Sequence, residues 1–135
     1  MEKVFVDTSG WVSLFVENDR NHKKAVSIYE TLKAGRAGLY TSDYVFDETI
    51  TTIRVRGNHQ QSVIAGEALL SSTIIKMIFV QQAHLQMAWD LYKRYKDKRF
   101  SFTDVTSFSI MQDLDIRKAF SFDQDFAQAG FELLG

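Results

Sequence analysis

Four acids in this sequence stand where a folded chain can gather them for chemistry: Asp7, Glu48, Asp104 and Asp123. Asp7 directly follows Val4-Phe5-Val6, an apolar run that reads as a buried strand, and Asp123 directly follows a β-rich run ending at Phe122. Ligands of open α/β sheets bind beyond the carboxyl ends of the strands, so both acids are expected at that end. Asp104 falls in the first turn of a predicted helix, in Phe100-Ser101-Phe102-Thr103-Asp104, where the backbone dipole favours a carboxylate. Each acid also has a plain structural reading. Ser101 and Asp104 stand at capping-box spacing, and Asp7-Thr8-Ser9 supplies an N-cap.

Glu48 is singled out by its surroundings. On a helical wheel of residues 42–57, Val45, Phe46, Ile50 and Ile53 form the main apolar face. Glu48 points away from that face, yet its flankers are Tyr44, Thr52 and Val55, whereas Asp47 lies beside Arg54 as on a solvated side. A carboxylate in such a semi-buried stripe is costly without a partner. A metal ion or a basic group would remove the cost; an ordinary exposed glutamate is the alternative.

The elements that must position these acids alternate between short β-rich runs and longer helical patterns, which predicts an α/β domain with a mainly parallel sheet. Strands are expected at Val4–Val6, Leu39–Thr41, Thr73–Val80, Ala119–Phe122 and Phe131–Leu133, the third carrying the strongest signal. Helices are expected from Thr8 past Phe15, over 21–34 with Gly35 as its stop, from Ser42 or Asp43 to Gly57, and over 60–70. Three more follow: Gln82–Lys96 with Leu85, Ala88, Trp89 and Tyr92 inward, Ser101 or Thr103 to about Asp115, and Asp123–Ala129.

Composition sets outer limits. The chain has 135 residues, 45% hydrophobic and 24% charged, which suits one soluble globular domain. No apolar run nears the roughly 18 residues of a membrane span, and Met1-Glu2-Lys3-Val4-Phe5-Val6 lacks the pattern of a signal peptide. With no cysteine there is no disulfide framework or thiolate metal site; a cytoplasmic protein is the simplest expectation. A net charge of −1 argues against tight non-specific binding of long duplexes. It leaves room for an enzyme that meets phosphates with a metal and a local basic patch.

In order and spacing, four segments resemble the PIN-domain family, specifically its VapC-type toxins. They are Val4-Phe5-Val6-Asp7-Thr8-Ser9, Ser42-Asp43-Tyr44-Val45-Phe46-Asp47-Glu48, Phe102-Thr103-Asp104-Val105-Thr106-Ser107-Phe108 and Phe122-Asp123-Gln124-Asp125-Phe126. Each is short; four in register over essentially the whole chain, 1–135, are specific. The resemblance implies a largely parallel five-stranded sheet flanked by helices, with Asp7, Glu48, Asp104 and Asp123 in one pocket and Ser9 supporting it. Asp125 is the alternative to Asp123, which is favoured for its place beside the strand end.

Converging carboxylates repel one another and call for a cation. All-oxygen donors suit Mg²⁺, with Mn²⁺ as a substitute. The implied reaction is hydrolysis of RNA in single-stranded regions by a metal-activated water. Asp7, Asp104 and Asp123 would serve as metal ligands, while Glu48 would orient the water or hold a second ion. The resemblance further implies a homodimer and a small antitoxin that enters the active-site groove. A non-catalytic PIN-like module binding RNA or protein is the rival reading, separated by metal-dependent turnover. Asp7-Thr8-Ser9 also resembles a phosphatase nucleophile, but such enzymes generally want a second acid where Ser9 stands.

Lys93, Arg94, Lys96, Lys98 and Arg99, just before the Asp104 segment, offer a basic patch for the RNA backbone, with Tyr95 available to stack on a base. The alternative is a solvated helix end whose cations complement the dipole. Arg54 and Arg56 are weaker candidates of the same kind. His22, His59 and His84 share no metal-ligand spacing, and Trp11, Phe15 and Trp89 read as core or interface residues.

Overall fold

Val4, Phe5 and Val6 have no solvent exposure, because the strand they form is the middle of a sheet covered on both faces. In a computed structural model describing all 135 residues, the chain runs β1 (Lys3–Val6), α1 (Thr8–Phe15), α2 (His22–Ala34), β2 (Gly38–Ser42), α3 (Asp43–Arg56) and α4 (His59–Ser71). It continues β3 (Ile75–Ile78), α5 (Gln82–Arg94), α6 (Phe102–Asp113), β4 (Lys118–Phe120), α7 (Asp125–Gln128) and β5 (Glu132–Leu134). The strands lie in the order β3-β2-β1-β4-β5. Every neighbouring pair is parallel, so the sheet expected to be largely parallel is wholly so. The chain builds outward from β1 in both directions, and the crevice at this reversal of strand order is where α/β sheets bind ligands. Asp7 is the residue that leaves β1 into it. No helix is long and apolar enough to cross a membrane.

Two buried contacts fix the exit from β1. The Trp11 indole N–H donates to Thr41 Oγ1 (3.1 Å), whose hydroxyl donates to the Val6 carbonyl (3.0 Å). This relay ties α1 to the ends of β1 and β2. Gly10 permits the close approach of α1 to β4: a Cβ there would stand 2.6 Å from the Phe120 carbonyl oxygen.

On α3, successive stripes face different neighbours. Val45, Thr49 and Ile53 are buried, while Phe46 and Ile50 turn toward α4, where Gly66 leaves them room. Thr49 thus belongs to the inner stripe, which the apolar reading of the helix omitted. Ser42 caps the helix by accepting from the Val45 amide (3.1 Å), and Asp43 accepts from the Val80 amide (2.9 Å), which anchors the start of α3 to the end of β3.

Several expectations are corrected. The strong strand signal over Thr73–Val80 yields only Ile75–Ile78, a half-buried edge strand; β-branched content raised the signal without a second neighbour to extend the pairing. The last two strands begin one residue from their expected starts, at Lys118 and Glu132. α5 ends at Arg94 and buries His84, Ala88 and Leu91. Leu85, Trp89 and Tyr92, expected inward, are 41%, 48% and 45% exposed. The two rings instead stack on each other (6.0 Å between centroids) and meet Phe102 edge-on, outside the core.

Gly10→Ala forces α1 off β4 and is expected to cost about 1–3 kcal/mol, measured as a lowered midpoint in urea unfolding. An unchanged midpoint would mean that the α1–β4 approach is not tight.

Candidate metal and nucleic-acid site

Asp7 occupies the N-cap position of α1, yet its side chain caps nothing. The carboxylate points into the crevice instead, held on one side only. Ser121 donates to Asp7 Oδ2 (3.1 Å) and accepts from the Asp123 amide (3.0 Å). Ser9 lies 3.0 Å from the Ser121 hydroxyl and accepts from the Phe122 amide (2.8 Å). Two hydroxyls thus splice the end of β1 to the segment after β4. Asp7 Oδ1 is buried and has no hydrogen-bond partner.

Asp104 reaches the same place from α6. Its amide donates to Ser101 Oγ (3.0 Å) and its Oδ2 accepts from the Ser101 amide (3.1 Å), a complete capping box. The structural and functional readings of Asp104 are therefore compatible: the cap aims the carboxylate. Asp123 completes the set from the loop before α7, and one carboxylate oxygen from each of Asp7, Asp104 and Asp123 lies within 4.8 Å of the others. Asp125 stands one step out, with its amide on Asp123 Oδ1 (2.9 Å). Glu48 is half-buried, as its wheel position predicts, and Asp47 is exposed. Glu48 lines the cavity outside the three-acid cluster, but its charge is felt at Asp7.

These acids line a cavity of about 790 Å³. Burial, chiefly, pushes the Asp7 carboxyl up to about 7, against the pull of the Thr8 amide and the Ser121 hydroxyl, with the Glu48 and Asp123 charges adding to the rise. Asp104 is likewise raised, first by burial and then by the charge of Asp7. Burial also raises Asp125. An all-carboxylate donor set with an unpartnered, buried oxygen fits a hard divalent ion, which would remove both the repulsion and the missing partner.

The basic residues divide unexpectedly. Of the run 93–99 only Arg99 lines the cavity; Lys96 and Lys98 border a separate recess with Tyr92, Tyr95 and Phe100. Lys93 lies over the Trp89 ring and beside Asp90, and Arg94 is exposed at the end of α5. Tyr95 packs edge-on against Phe100 at 5.2 Å rather than standing free to stack. The other arginines at the cavity are Arg20 and Arg56. Arg56 donates to Asp19 Oδ2 (2.9 Å), and Asp19 also accepts from Ser13 Oγ (3.0 Å) and the Asn21 amide (2.8 Å). Burial works against the Asp19 charge, but the Asn21 amide, Arg56 and Ser13 together hold its carboxyl below the usual range.

Sequence reading missed Ser121, Asp19 and Arg20. A hydroxyl between Phe120 and Phe122 at a strand end was the available signal for Ser121; nothing local marks Asp19 or Arg20. The histidines stay apart from the acids: His22 Nδ1 lies 2.8 Å from the Ser13 carbonyl oxygen, His84 caps α5 and pairs with Asp113, and His59 opens α4.

The fold and site define a wholly parallel α/β domain with three carboxylates gathered at its strand-order reversal. The model of the PIN domain matches residues 4–132, and the chain belongs to the PIN-domain family. It is of the VapC type: it is 34% identical over 128 residues, 95% of each chain, to the 23S rRNA-specific endonuclease VapC20 of Mycobacterium tuberculosis. The crystal structure of that protein, described as a sarcin-ricin loop cleaving toxin, superposes with a TM-score of 0.85 over 95% of both chains. VapBC2 from Rickettsia felis, bound to a promoter DNA fragment (TM-score 0.74, 13% identity, 97% of this chain and 96% of that one), shares the fold. So does FitAcB from Neisseria gonorrhoeae (0.69, 12%, 98% and 96%).

Because folded Asp7 holds its proton to about 7, well above the 3.8 of a free aspartate, the folded state binds more protons in between, and stability is lost as pH rises through that window. In EDTA the melting temperature should therefore fall as pH rises from about 4 to about 7, and saturating Mn²⁺ or Mg²⁺ should restore it at the upper end. Asp7→Asn should flatten both responses. A metal-free midpoint that falls over this window as steeply in Asp7→Asn as in the native protein would contradict the assignment.

Proposed function

We propose that this chain, as a single PIN domain over 1–135, is a Mg²⁺-dependent endoribonuclease that cuts single-stranded regions of RNA and serves as the toxin of a VapBC-type pair. The observation that carries the reading is the meeting of Asp7, Asp104 and Asp123 within 4.8 Å, in a family whose relative at 34% identity is named a 23S rRNA-specific endonuclease. Held by Asp7, Asp104 and Asp123, a divalent cation would supply Lewis-acid chemistry for phosphodiester hydrolysis. Mn²⁺ offers the same coordination preferences.

The chain's own residues hold and orient. Asp7, Asp104 and Asp123 bind the cation; Ser121, with Ser9 behind it, fixes Asp7, and the Ser101 capping box fixes Asp104. Glu48 faces the cluster from the α3 wall and orients the attacking water. Asp125 supports Asp123, its amide donating to Asp123 Oδ1. Arg99, Arg20 and Arg56 offer positive charge around the cavity to the flanking phosphates; Lys93, Arg94, Lys96 and Lys98 lie off it and contribute at most a longer-range field. The toxin works in the cytoplasm, on ribosomal RNA by likeness to VapC20. A small antitoxin closes the groove, and a homodimer buries exposed apolar surface such as Leu85, Trp89 and Tyr92.

Purified protein incubated with a ribosomal RNA fragment carrying the sarcin-ricin loop should cut it with Mg²⁺ and not with EDTA. Asp7→Asn or Asp104→Asn should lower the rate by at least roughly 100-fold with the circular-dichroism spectrum unchanged. Cleavage that survives EDTA, or full activity in both variants, would refute the proposal.

A further inference from the structure

Glu48, Thr52 and Arg56 stand one turn apart on the face of α3 that lines the acidic cavity. From Glu48, whose charge reaches Asp7, to Arg56 is eight residues, about 12 Å along the helix. That is the reach of a nucleotide or two of extended strand. Arg56 also borders a second recess of about 510 Å³ between the end of α1 and the start of α4. It therefore forms the ridge between the two.

This arginine is held ready. Asp19 takes one Nη of its guanidinium, and Asp19 is itself fixed by Ser13 and Asn21. The side chain remains 46% exposed, and a guanidinium has five N–H donors, so several remain for an anion. Beyond the ridge, the recess combines apolar Phe15, Val16 and Ile64 with the amide side chains of Asn18 and Gln61 and the carboxylate of Glu17. Ile64 is 60% exposed. An anion site beside a recess with apolar walls and amide donors and acceptors matches a nucleotide: a phosphate joined to a flat ring that stacks on one surface and is read at its edge.

We infer that the protein carries a nucleotide subsite flanking the cut, in which Arg56 binds a phosphate and the recess walled by Ile64 and Gln61 takes the adjoining base. The inference rests on the ribonuclease reading and gives it a direction: the RNA runs along α3 from the acidic cluster toward the start of α4. Asp19 is a positioning residue, acting through Arg56.

Two readouts test this. Binding of fluorescent single-stranded oligonucleotides to protein carrying Asp104→Asn, measured by anisotropy, probes the subsite without turnover. There Arg56→Ala should weaken binding about tenfold and shrink the slope of log affinity against log salt by about 0.7. Asp19→Asn should weaken it less and add little on top of Arg56→Ala. In cleavage by the otherwise native protein, an RNA made abasic at one position a nucleotide or two from the cut should lose about tenfold in kcat/KM. Ile64→Ser or Gln61→Ala should erase that dependence, while Arg56→Ala raises KM with kcat within about twofold. Unchanged affinity and salt slope in Arg56→Ala, with only a lowered melting temperature, would reduce the Arg56–Asp19 pair to a brace between elements and overturn the subsite. So would an abasic penalty that persists undiminished in the recess variants. Position-dependent binding without Mg²⁺-dependent cleavage by the native protein would support the subsite and tell against the ribonuclease reading.

Discussion

Three carboxylates from distant parts of the chain, held within 4.8 Å of one another, repel whenever they are charged, and most of the local structure around the crevice opposes that repulsion. The sheet does so by geometry: β1 and β4 are neighbours in parallel register, so the segments leaving their carboxyl ends emerge side by side. Ser9 and Ser121 stitch those segments together, and the Ser101–Asp104 capping box brings the third acid in from α6. A carboxylate that also serves as a cap cannot swing out to water without releasing the start of its helix. The fold thereby stores an electrostatic conflict that a cation resolves.

The chain as a whole is nearly neutral, with a net charge of −1, so its charge matters through distribution rather than total. Asp7, Asp104 and Asp123 meet at one place in the crevice, while Arg20, Arg56 and Arg99 approach the same cavity from the α1–α2 connection, the end of α3 and the segment before α6. This arrangement suits a polyanion that must bring one phosphate to a cation while its neighbours find positive charge. It also explains why a basic run in sequence is a poor guide. The run 93–99 sits where α5 ends and turns, so its side chains diverge, and only Arg99 lines the cavity.

The likeness to VapBC2 and FitAcB at 13% and 12% identity reflects the fold alone, since a sheet of this topology tolerates many different cores. Likeness to VapC20 at 34% over 95% of both chains extends to the type of protein.

The sequence by itself determined the alternation of strands and helices, the acids at the exit of β1 and near the end of β4, the half-buried stripe of Glu48 and the capping-box place of Asp104. These follow from short-range rules: strand and helix periodicity, capping chemistry and the cost of burying an unpartnered carboxylate act over a few residues. Only the tertiary structure decided which face of α5 is inward, because the choice between Leu85-Trp89-Tyr92 and His84-Ala88-Leu91 depends on where α6 lies. It alone brought Ser121 to Asp7 and Arg56 to Asp19, pairs separated by 114 and 37 residues. It also set Asp123 in the cluster and Asp125 one step outside it, since a single turn of backbone orients two nearby carboxylates differently. Such pairings are fixed by the packing of whole elements, a long-range outcome that local pattern does not encode.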